Sequence, residues 1–226
     1  MTRKLTRLQT IIAGGAFALA GIGGVTATAL GHDTTPATST AAEQTVAAVQ
    51  ADTPAIQPVA DQKPAAPSDQ DLHPVAISGD QKTFTPDAEQ LANAKAIVDA
   101  GKDMGLSPRA WTIAVATSLQ ESNLHNLGDL GAQNDHDSLG LFQQRTSTGD
   151  WGTAAQIQDP HHAATKFLER LENVPGWDSM PLTQAAQKVQ VSAYPQAYAK
   201  HEAEAGNIIG ALYGNGPYAD AAHNIH

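Results

Sequence analysis

The stretch from Ala110 to Leu119 reads Ala-Trp-Thr-Ile-Ala-Val-Ala-Thr-Ser-Leu, and it decides the fold that we expect. Its side chains are apolar or small nearly all round a helical projection, which is typical of a helix buried on every side. Ser107-Pro108, directly before it, is a helix-start signal. We therefore predict a central buried helix that begins at Pro108 and ends at about Ser122.

Glu121 lies in the last turn of this predicted helix. A carboxylate there faces the negative end of the helix dipole and a largely apolar neighbourhood, and both favour the neutral acid. A general acid that works near neutral pH needs such a raised pKa. The alternative interpretation is an ordinary surface glutamate at a frayed helix end, and this residue alone does not separate the two.

Further helix signals flank the central helix on both sides. Capping residues followed by proline mark two of the starts, and apolar periodicity marks the others. The predicted helices run from Thr85 to Gly105, from Asp159 to about Pro175, from Thr183 to Val191 and from Pro195 to Leu212. The sequence leaves room for at most a small hairpin between Leu127 and Gln144. The expected fold class is mainly α, an α-dominant α+β domain.

Composition divides the chain into four regions. Residues 1–29 are predicted to be a signal peptide, and residues 30–82 a disordered linker rich in Ala, Thr and Pro with almost no large apolar residue. All tryptophans and tyrosines come later, so we expect the single folded domain at 83–213. Residues 214–226 are predicted to be a flexible tail.

The first 30 residues have the layout of an export signal. Three basic residues precede an apolar, Gly- and Ala-rich stretch, and Ala27-Thr28-Ala29 fits a cleavage site. Cleavage after Ala29 implies a secreted, cell-wall-associated protein with no stable membrane insertion. The alternative is an uncleaved anchor, in which residues 11–30 hold the chain to the outer face of the cytoplasmic membrane.

Charge and cysteine content exclude several classes of function. The chain has no cysteine, so its core must hold the exported domain without disulfides. The net charge is −10, and removal of residues 1–29 leaves 10 basic and 23 acidic residues, a charge of −13. Such an acidic chain is a poor candidate for nucleic acid. We also expect it to recognise a polymer by hydrogen bonds and stacking, not by simple electrostatic attraction.

A polar region follows Glu121. Residues 123–137 are rich in Asn, Gly and Asp, and they lead into Ser-Leu-Gly-Leu-Phe-Gln-Gln-Arg at 138–145. The adjacent amides of Gln143 and Gln144 are suited to hydrogen bonds with sugar hydroxyl and acetamido groups. Trp151 has two interpretations, since its ring can stack on a sugar face or cap the core.

The buried helix that ends in Glu121-Ser122, the polar loop and the Ser-x-Gly-Leu-Phe-Gln string at 138–143 together resemble the lysozyme-like superfamily. The similarity is to the branch of goose-type lysozymes and soluble lytic transglycosylases. With Gln144-Arg145 and Trp151-Gly152 included, the chain looks like small exported actinobacterial members, over roughly 108–198. The resemblance implies a lysozyme-like catalytic domain.

By that resemblance Glu121 is the catalytic acid/base, Ser122 a supporting hydroxyl and Gln143 a substrate-binding amide. The implied reaction is cleavage of the β-1,4 bond between N-acetylmuramic acid and N-acetylglucosamine in peptidoglycan glycan strands, without a cofactor. The loop after Glu121 is longer than usual, and the Ala-Tyr-Asn-Ala-Gly motif of transglycosylases is absent. Tyr194 is the nearest candidate for its tyrosine. These departures leave a non-catalytic peptidoglycan-binding or scaffold module as the alternative.

Two acids in the polar loop decide which kind of cleavage is expected. A usual hydrolase needs a second carboxylate, and Asp135 and Asp137 are the candidates. Both lie among residues where Asp commonly forms turns with its own backbone. A lytic transglycosylase needs one acid alone, because the 6-hydroxyl of the sugar attacks and leaves a 1,6-anhydro end. We therefore expect a transglycosylase in preference to a hydrolase.

Nine histidines raise the question of a metal site. His161 and His162 are adjacent at a helix start and point about 100° apart, so they do not readily share one ion. His125, His136 and the two loop aspartates match no regular ligand spacing. We expect no metal site, with a metal-binding exported protein as a minor alternative.

Overall fold

The computed structural model describes residues 65–129, 131 and 136–225. The predicted signal peptide, most of the predicted linker and the candidate acid Asp135 lie outside these ranges. Eight α-helices and one two-stranded sheet are described there, which confirms the expected α-dominant class. None of the described helices is long and apolar enough to cross a bilayer.

The elements follow one another along the chain as a series of helices with one hairpin between the third and the fourth. The helices are α1 (Asp69–Leu72), α2 (Ala88–Asp103), α3 (Pro108–Ser122), α4 (Ala154–Ile157), α5 (Pro160–Glu172), α6 (Leu182–Gln190), α7 (Glu202–Leu212) and α8 (Ala219–Ala222). The strands are β1 (Ser138–Leu139) and β2 (Gln144–Arg145).

Helix α3 forms the centre of the domain. Every residue from Arg109 to Leu119 is buried, as the apolar pattern predicts. Helices α1, α2, α5, α6 and α7 all contact it. A helix enclosed in this way has no solvent-facing side, so its residues are small or apolar. The observed bounds, Pro108–Ser122, are those expected from the sequence.

Asp159 caps α5 as predicted, whereas the residue that caps α2 is Asp87 and not the expected Thr85. The Asp87 side chain accepts from the Gln90 backbone N–H, and the Gln90 side chain accepts from the Asp87 backbone N–H. This pair of bonds is a capping box at the start of α2. Asp159 accepts from the His162 N–H at the start of α5. Helix α5 ends at Glu172, earlier than the predicted end at Pro175.

The predicted helix from Pro195 begins later than expected. A 3-10 turn, Ala199–His201, precedes α7, and α7 itself begins at Glu202. The Pro195 carbonyl accepts a hydrogen bond from the Thr183 hydroxyl of α6 at 2.6 Å, so it is bonded to a different helix from the one it was expected to start.

The folded unit extends beyond the predicted N-terminal boundary at 83. Leu72 of α1 is 6 % exposed and belongs to the core. The Gln81 amide donates to the Ala199 carbonyl and accepts from the Ala203 N–H, both at 3.0 Å. The Lys82 N–H donates to the Lys200 carbonyl at 2.8 Å. Residues 65–82, expected to be linker, therefore pack on the start of α7.

The C-terminal boundary is also longer than predicted, because residues after 213 contact the domain. The Tyr218 hydroxyl lies 2.8 Å from Glu204 Oε1 and 2.6 Å from the Phe84 carbonyl, to which it donates. Polar bonds and a few scattered apolar side chains make the contacts at both ends. A composition-based boundary, which follows large apolar residues, does not detect them.

A buried ion pair joins α3 to α7. Arg109 and Glu202 lie 2.6 Å apart and are almost completely buried. Arg109 also donates to the carbonyls of Leu72 and Met180. Burial of one charge without its partner would be strongly unfavourable, so these contacts fix the register between the two helices.

Candidate functional site

Two buried amides on α2 hold the C-terminal end of α3. Asn123 and Leu124 have left-handed backbones, with φ of 54° and 59°. Their carbonyls accept from the side chains of Gln90 and Asn93, both at 2.8 Å. Two successive non-glycine residues in this conformation are unusual and need such support. The position of Glu121, two residues earlier, is fixed as a result.

The hairpin turn is bonded directly to the end of α3. The Ser122 hydroxyl donates to the Leu141 carbonyl at 2.8 Å. Gly140 in the same turn has a φ of 72°, and a Cβ there would lie 2.5 Å from the Ile157 carbonyl oxygen. Glycine is therefore required at this position. The Gly-Leu-Phe string is thus needed to bring the hairpin against α3.

Packing from α5 and α6 completes the position of the hairpin. The Phe142 ring stacks on Phe167 of α5 with 4.8 Å between centroids. The Gln190 amide at the end of α6 donates to the Phe142 carbonyl at 3.0 Å. The hairpin is therefore held by three helices.

A cleft of about 210 Å³ lies where α3, the hairpin, α5 and α6 meet. Its walls carry one carboxylic acid from α3, amides and an arginine from the hairpin, and charged, aromatic and apolar groups from the following segments. The lining residues are Glu121, Ser138, Phe142, Gln143, Gln144, Arg145, Thr148, Asp150, Trp151, Arg170, Val189, Gln190 and Val191.

Glu121 is the acid in this cleft whose pKa is raised by its surroundings. Burial raises the pKa of its carboxyl to about 7, and hydrogen bonds from Tyr198 and Gln190 partly oppose that rise. The Tyr198 hydroxyl donates to Glu121 Oε1 at 2.9 Å. Glu121 is therefore a carboxylic acid that holds its proton near neutral pH, with donors in place for its anion.

Tyr198 is itself fully buried. Burial and the neighbouring Glu121 raise the pKa of its phenol, so the hydroxyl stays protonated and acts as a donor. A hydrogen bond with Ser192 completes a short chain from Ser192 through Tyr198 to Glu121.

The structure brings Tyr198 to Glu121, and not the sequence candidate Tyr194. Tyr194 is 52 % exposed, and its backbone N–H donates to Ser192 Oγ. The sequence favours Tyr194 because Ala193-Tyr194 is the nearest match to the Ala-Tyr of the transglycosylase motif. The pattern Tyr-Pro-x-x-Tyr offered two tyrosines, and nothing in it ranks the second above the first.

Of the three polar residues predicted to support or bind the substrate, two line the cleft and one does not. Gln143 and Gln144 line the cleft. The Gln143 amide donates to the Gly140 carbonyl and the Gln144 amide to the Ala163 carbonyl. Gln144 Oε1 is buried without a partner among the described residues. Ser122 does not line the cleft, because its hydroxyl is used by α3 and the hairpin.

Trp151 lines the cleft, and its ring is covered by another side chain. It is 8 % exposed, and the Arg170 guanidinium carbon lies 3.6 Å from its ring centroid. Arg170 Nη2 lies 3.3 Å from an Asp150 oxygen. A ligand in the cleft therefore meets Arg170 over this ring.

Asp137, a candidate second carboxylate, is occupied by the hairpin. It accepts from Arg145 Nε at 3.1 Å, from the Thr146 hydroxyl at 2.5 Å, and from the backbone and hydroxyl of Ser147. Led by the Thr146 hydroxyl, these donors hold the pKa of Asp137 well below its usual range. Asp137 is not among the cleft-lining residues, whereas Asp150, which the sequence did not single out, is.

Two of the histidines weighed for a metal site, His125 and His161, make ordinary side-chain pairs. His125 Nδ1 lies 3.0 Å from Glu89, and His161 Nε2 lies 3.0 Å from Asp103. Within the described ranges, no group of three or more His, Asp and Glu side chains is arranged to hold a metal ion.

Compared with models of known protein families and with curated proteins, the chain matches none. Evidence on function therefore comes from the chemistry of the cleft. That chemistry consists of a protonated carboxylic acid with a buried tyrosine donor, adjacent amides and two arginines along the walls.

Proposed function

We propose that this chain cleaves the β-1,4 bond between N-acetylmuramic acid and N-acetylglucosamine in peptidoglycan, with Glu121 as the general acid. The observation that carries the proposal is Glu121 itself. It combines a pKa of about 7, a place on the cleft wall and a tyrosine donor on one oxygen. Enzymes tune glutamate to this range for acid catalysis of glycoside cleavage.

The first step is proton donation to the glycosidic oxygen. Because Tyr198 donates to Oε1, the acidic proton of Glu121 belongs on Oε2. Its transfer to the leaving oxygen breaks the bond between that oxygen and the anomeric carbon. Tyr198 and Gln190 then stabilise the new carboxylate, since both donate to the charged form.

The second step is attack on the anomeric carbon by the 6-hydroxyl of the same sugar. The Glu121 carboxylate takes the proton of that hydroxyl, a 1,6-anhydro ring forms, and Glu121 returns to its starting state. This single-acid route is favoured because Asp137 is occupied by four donors in the hairpin. Asp150 lines the cleft, but it is paired with Arg170.

Cell-wall zymography with Glu121→Gln tests the proposal. The amide keeps the shape of the side chain and cannot donate the proton, so we expect cleavage to fall by roughly two orders of magnitude or more. Glu172→Gln, at the exposed end of α5, is the matched control and should cleave as the parent does. A parent protein that binds walls without cutting them would instead indicate the non-catalytic module.

Mass spectrometry of the released fragments tests the kind of cleavage. Anhydro ends, one water lighter than reducing ends, are expected from the parent, from Asp137→Asn and from Asp150→Asn. Reducing ends throughout, with activity lost in either Asp variant, would contradict the single-acid route and indicate a hydrolase.

The same proposal makes this an exported enzyme of the cell wall. The basic start, the apolar stretch and Ala27-Thr28-Ala29 support removal of residues 1–29. N-terminal sequencing of the protein from medium and wall fractions should find Leu30 first. An intact N-terminus in the membrane fraction would indicate a tethered enzyme.

A further inference from the structure

Positive charge in the cleft comes from two arginines. The described part of the chain contains three arginines, and one of them, Arg109, is buried in its pair with Glu202. The other two, Arg145 and Arg170, both line the cleft, and no lysine is among the lining residues. The whole chain has a net charge of −10, so the two arginines that line the cleft have the opposite sign to the chain's net charge.

Trp151 and Asp150 hold Arg170 in place. The guanidinium lies over the Trp151 ring at 3.6 Å, and Asp150 lies 3.3 Å from Nη2. Stacking fixes the plane of the guanidinium but leaves the donors at its edges available. The side chain is 37 % exposed, so Arg170 is both oriented and accessible. A planar fork held in this way suits two-point recognition of a carboxylate.

Arg145, on β2, supplies the second positive group. Its Nε donates to Asp137 at 3.1 Å, and its Nη2 lies 3.4 Å from Ser147 Oγ. These contacts use part of its five donors. Because Asp137 also holds the hairpin together, substitution of Arg145 would disturb the fold, and the test is better placed on Arg170.

We propose that Arg170, assisted by Arg145, binds a carboxylate carried by the muramic acid residue of the substrate. This inference rests on the proposed function. It narrows the substrate to glycans whose sugars carry an acidic substituent. The carboxylate has two sources, the free lactyl group of a bare muramic acid or the peptide stem attached to it. A chitin oligosaccharide has the same β-1,4 linkage and acetamido groups without either carboxylate.

Calorimetric titration of the Glu121→Gln protein tests the inference without cleavage. The three ligands are chitin oligosaccharides, glycan fragments with free lactyl groups and fragments with peptide stems. Arg170→Gln in the same background should weaken binding of at least one carboxylate-bearing ligand about tenfold or more, since a hydrogen bond to a charged group is typically worth that much. Binding of chitin oligosaccharides should stay the same.

Two further variants separate charge from geometry. Arg170→Lys keeps the charge and loses the planar fork, so it should restore part of the lost affinity. Lys166→Gln removes a positive charge from the same helix outside the cleft, and it should leave all three affinities unchanged. Loss confined to the bare fragments assigns the lactyl carboxylate, and loss confined to stem-bearing fragments assigns the peptide.

Three results would overturn the inference. They are equal weakening for neutral and acidic ligands, no weakening for any ligand, or no binding of either carboxylate-bearing fragment by the parent. If Arg170 proves selective for carboxylates while the unsubstituted protein does not cut cell walls, the proposed function fails and the binding site stands. If the protein cuts walls and Arg170→Gln has no effect on affinity, the proposed function stands and the carboxylate-binding role of Arg170 fails.

Discussion

The Tyr198 hydroxyl donates to Glu121 Oε1 at 2.9 Å, although 77 residues separate the two in the chain. The bond joins the last turn of α3 to the segment just before α7. The bond also distinguishes the two oxygens of the carboxyl. Oε1 accepts from the tyrosine, and Oε2 carries the proton of the neutral acid.

Replacement of Tyr198 by Phe should move the pH dependence of cleavage. The tyrosine bond lowers the pKa of Glu121, so its loss should raise that pKa further above 7. Because the acid works when protonated, the alkaline limb of the rate profile should shift to higher pH, by about one pH unit for a bond to a charged group. The maximal rate should fall, since the anion loses a donor.

Tyr194→Phe is the matched variant for this measurement. Tyr194 is exposed, and Tyr198 is buried against the acid. The alkaline limb of the rate profile should therefore move in Tyr198→Phe and stay in place in Tyr194→Phe. A shift in Tyr194→Phe with none in Tyr198→Phe would restore the sequence-based choice of tyrosine.

Glu121→Gln should stabilise the fold, and more so at alkaline pH. The folded-state pKa of about 7 lies above the ordinary value of 4.5, so the folded state holds the proton more tightly than the unfolded state. The parent therefore loses stability as pH rises from about 4.5 through 7. A tenfold change in proton affinity is worth about 1.4 kcal/mol, so the full loss is about 3 kcal/mol.

Denaturant unfolding of the parent and the variant at pH 5 and pH 8 measures this difference. The gain in unfolding free energy should be small at pH 5 and near its full value at pH 8. Glu172→Gln, an exposed control on α5, should show the same small change at both pH values. A Glu121→Gln gain that does not depend on pH would mean that the carboxyl is not buried as described.

A chain that begins at residue 65 should be more stable than one that begins at residue 83. The shorter chain loses both Gln81 hydrogen bonds, the buried Leu72 and the Leu72 carbonyl that accepts from Arg109. We expect a loss of about 3 kcal/mol or more from the buried leucine and the unpaired donors. Thermal unfolding followed by circular dichroism compares the two chains. Equal midpoints would show that residues 65–82 contribute nothing to the fold.

Val191→Gly should stabilise the domain. Val191 ends α6 with a left-handed backbone, φ 51° and ψ 41°, which is unfavourable for a β-branched residue. Its side chain is 59 % exposed, so little packing is lost. Relief of the strain should raise the unfolding free energy by about 1 kcal/mol. Val191→Ala keeps a Cβ in the strained conformation and should gain less. A larger gain for Ala than for Gly would contradict this reasoning.

The sequence by itself determined the elements whose signals are local. Pro108 and the capping residue Asp159 start their helices where expected, because a cap is satisfied by backbone groups within one turn. Helix α2 is capped by Asp87, two residues after the expected cap Thr85. The burial of α3 was also readable, because a helix with apolar or small residues on all sides has to be enclosed. Glu121 could be singled out for the same reason, as the acid that such a helix ends with.

The tertiary structure alone decided which side chains meet across the cleft. Tyr198 and not Tyr194 donates to Glu121. Arg170 lies over the Trp151 ring, and residues of the hairpin donate to Asp137. Each contact depends on the angle and register at which separate elements pack. Those are set by the whole core and by long-range bonds such as that from Ser122 to the Leu141 carbonyl. A local pattern specifies an element and its buried face, but it carries no distance between residues that lie far apart in the chain.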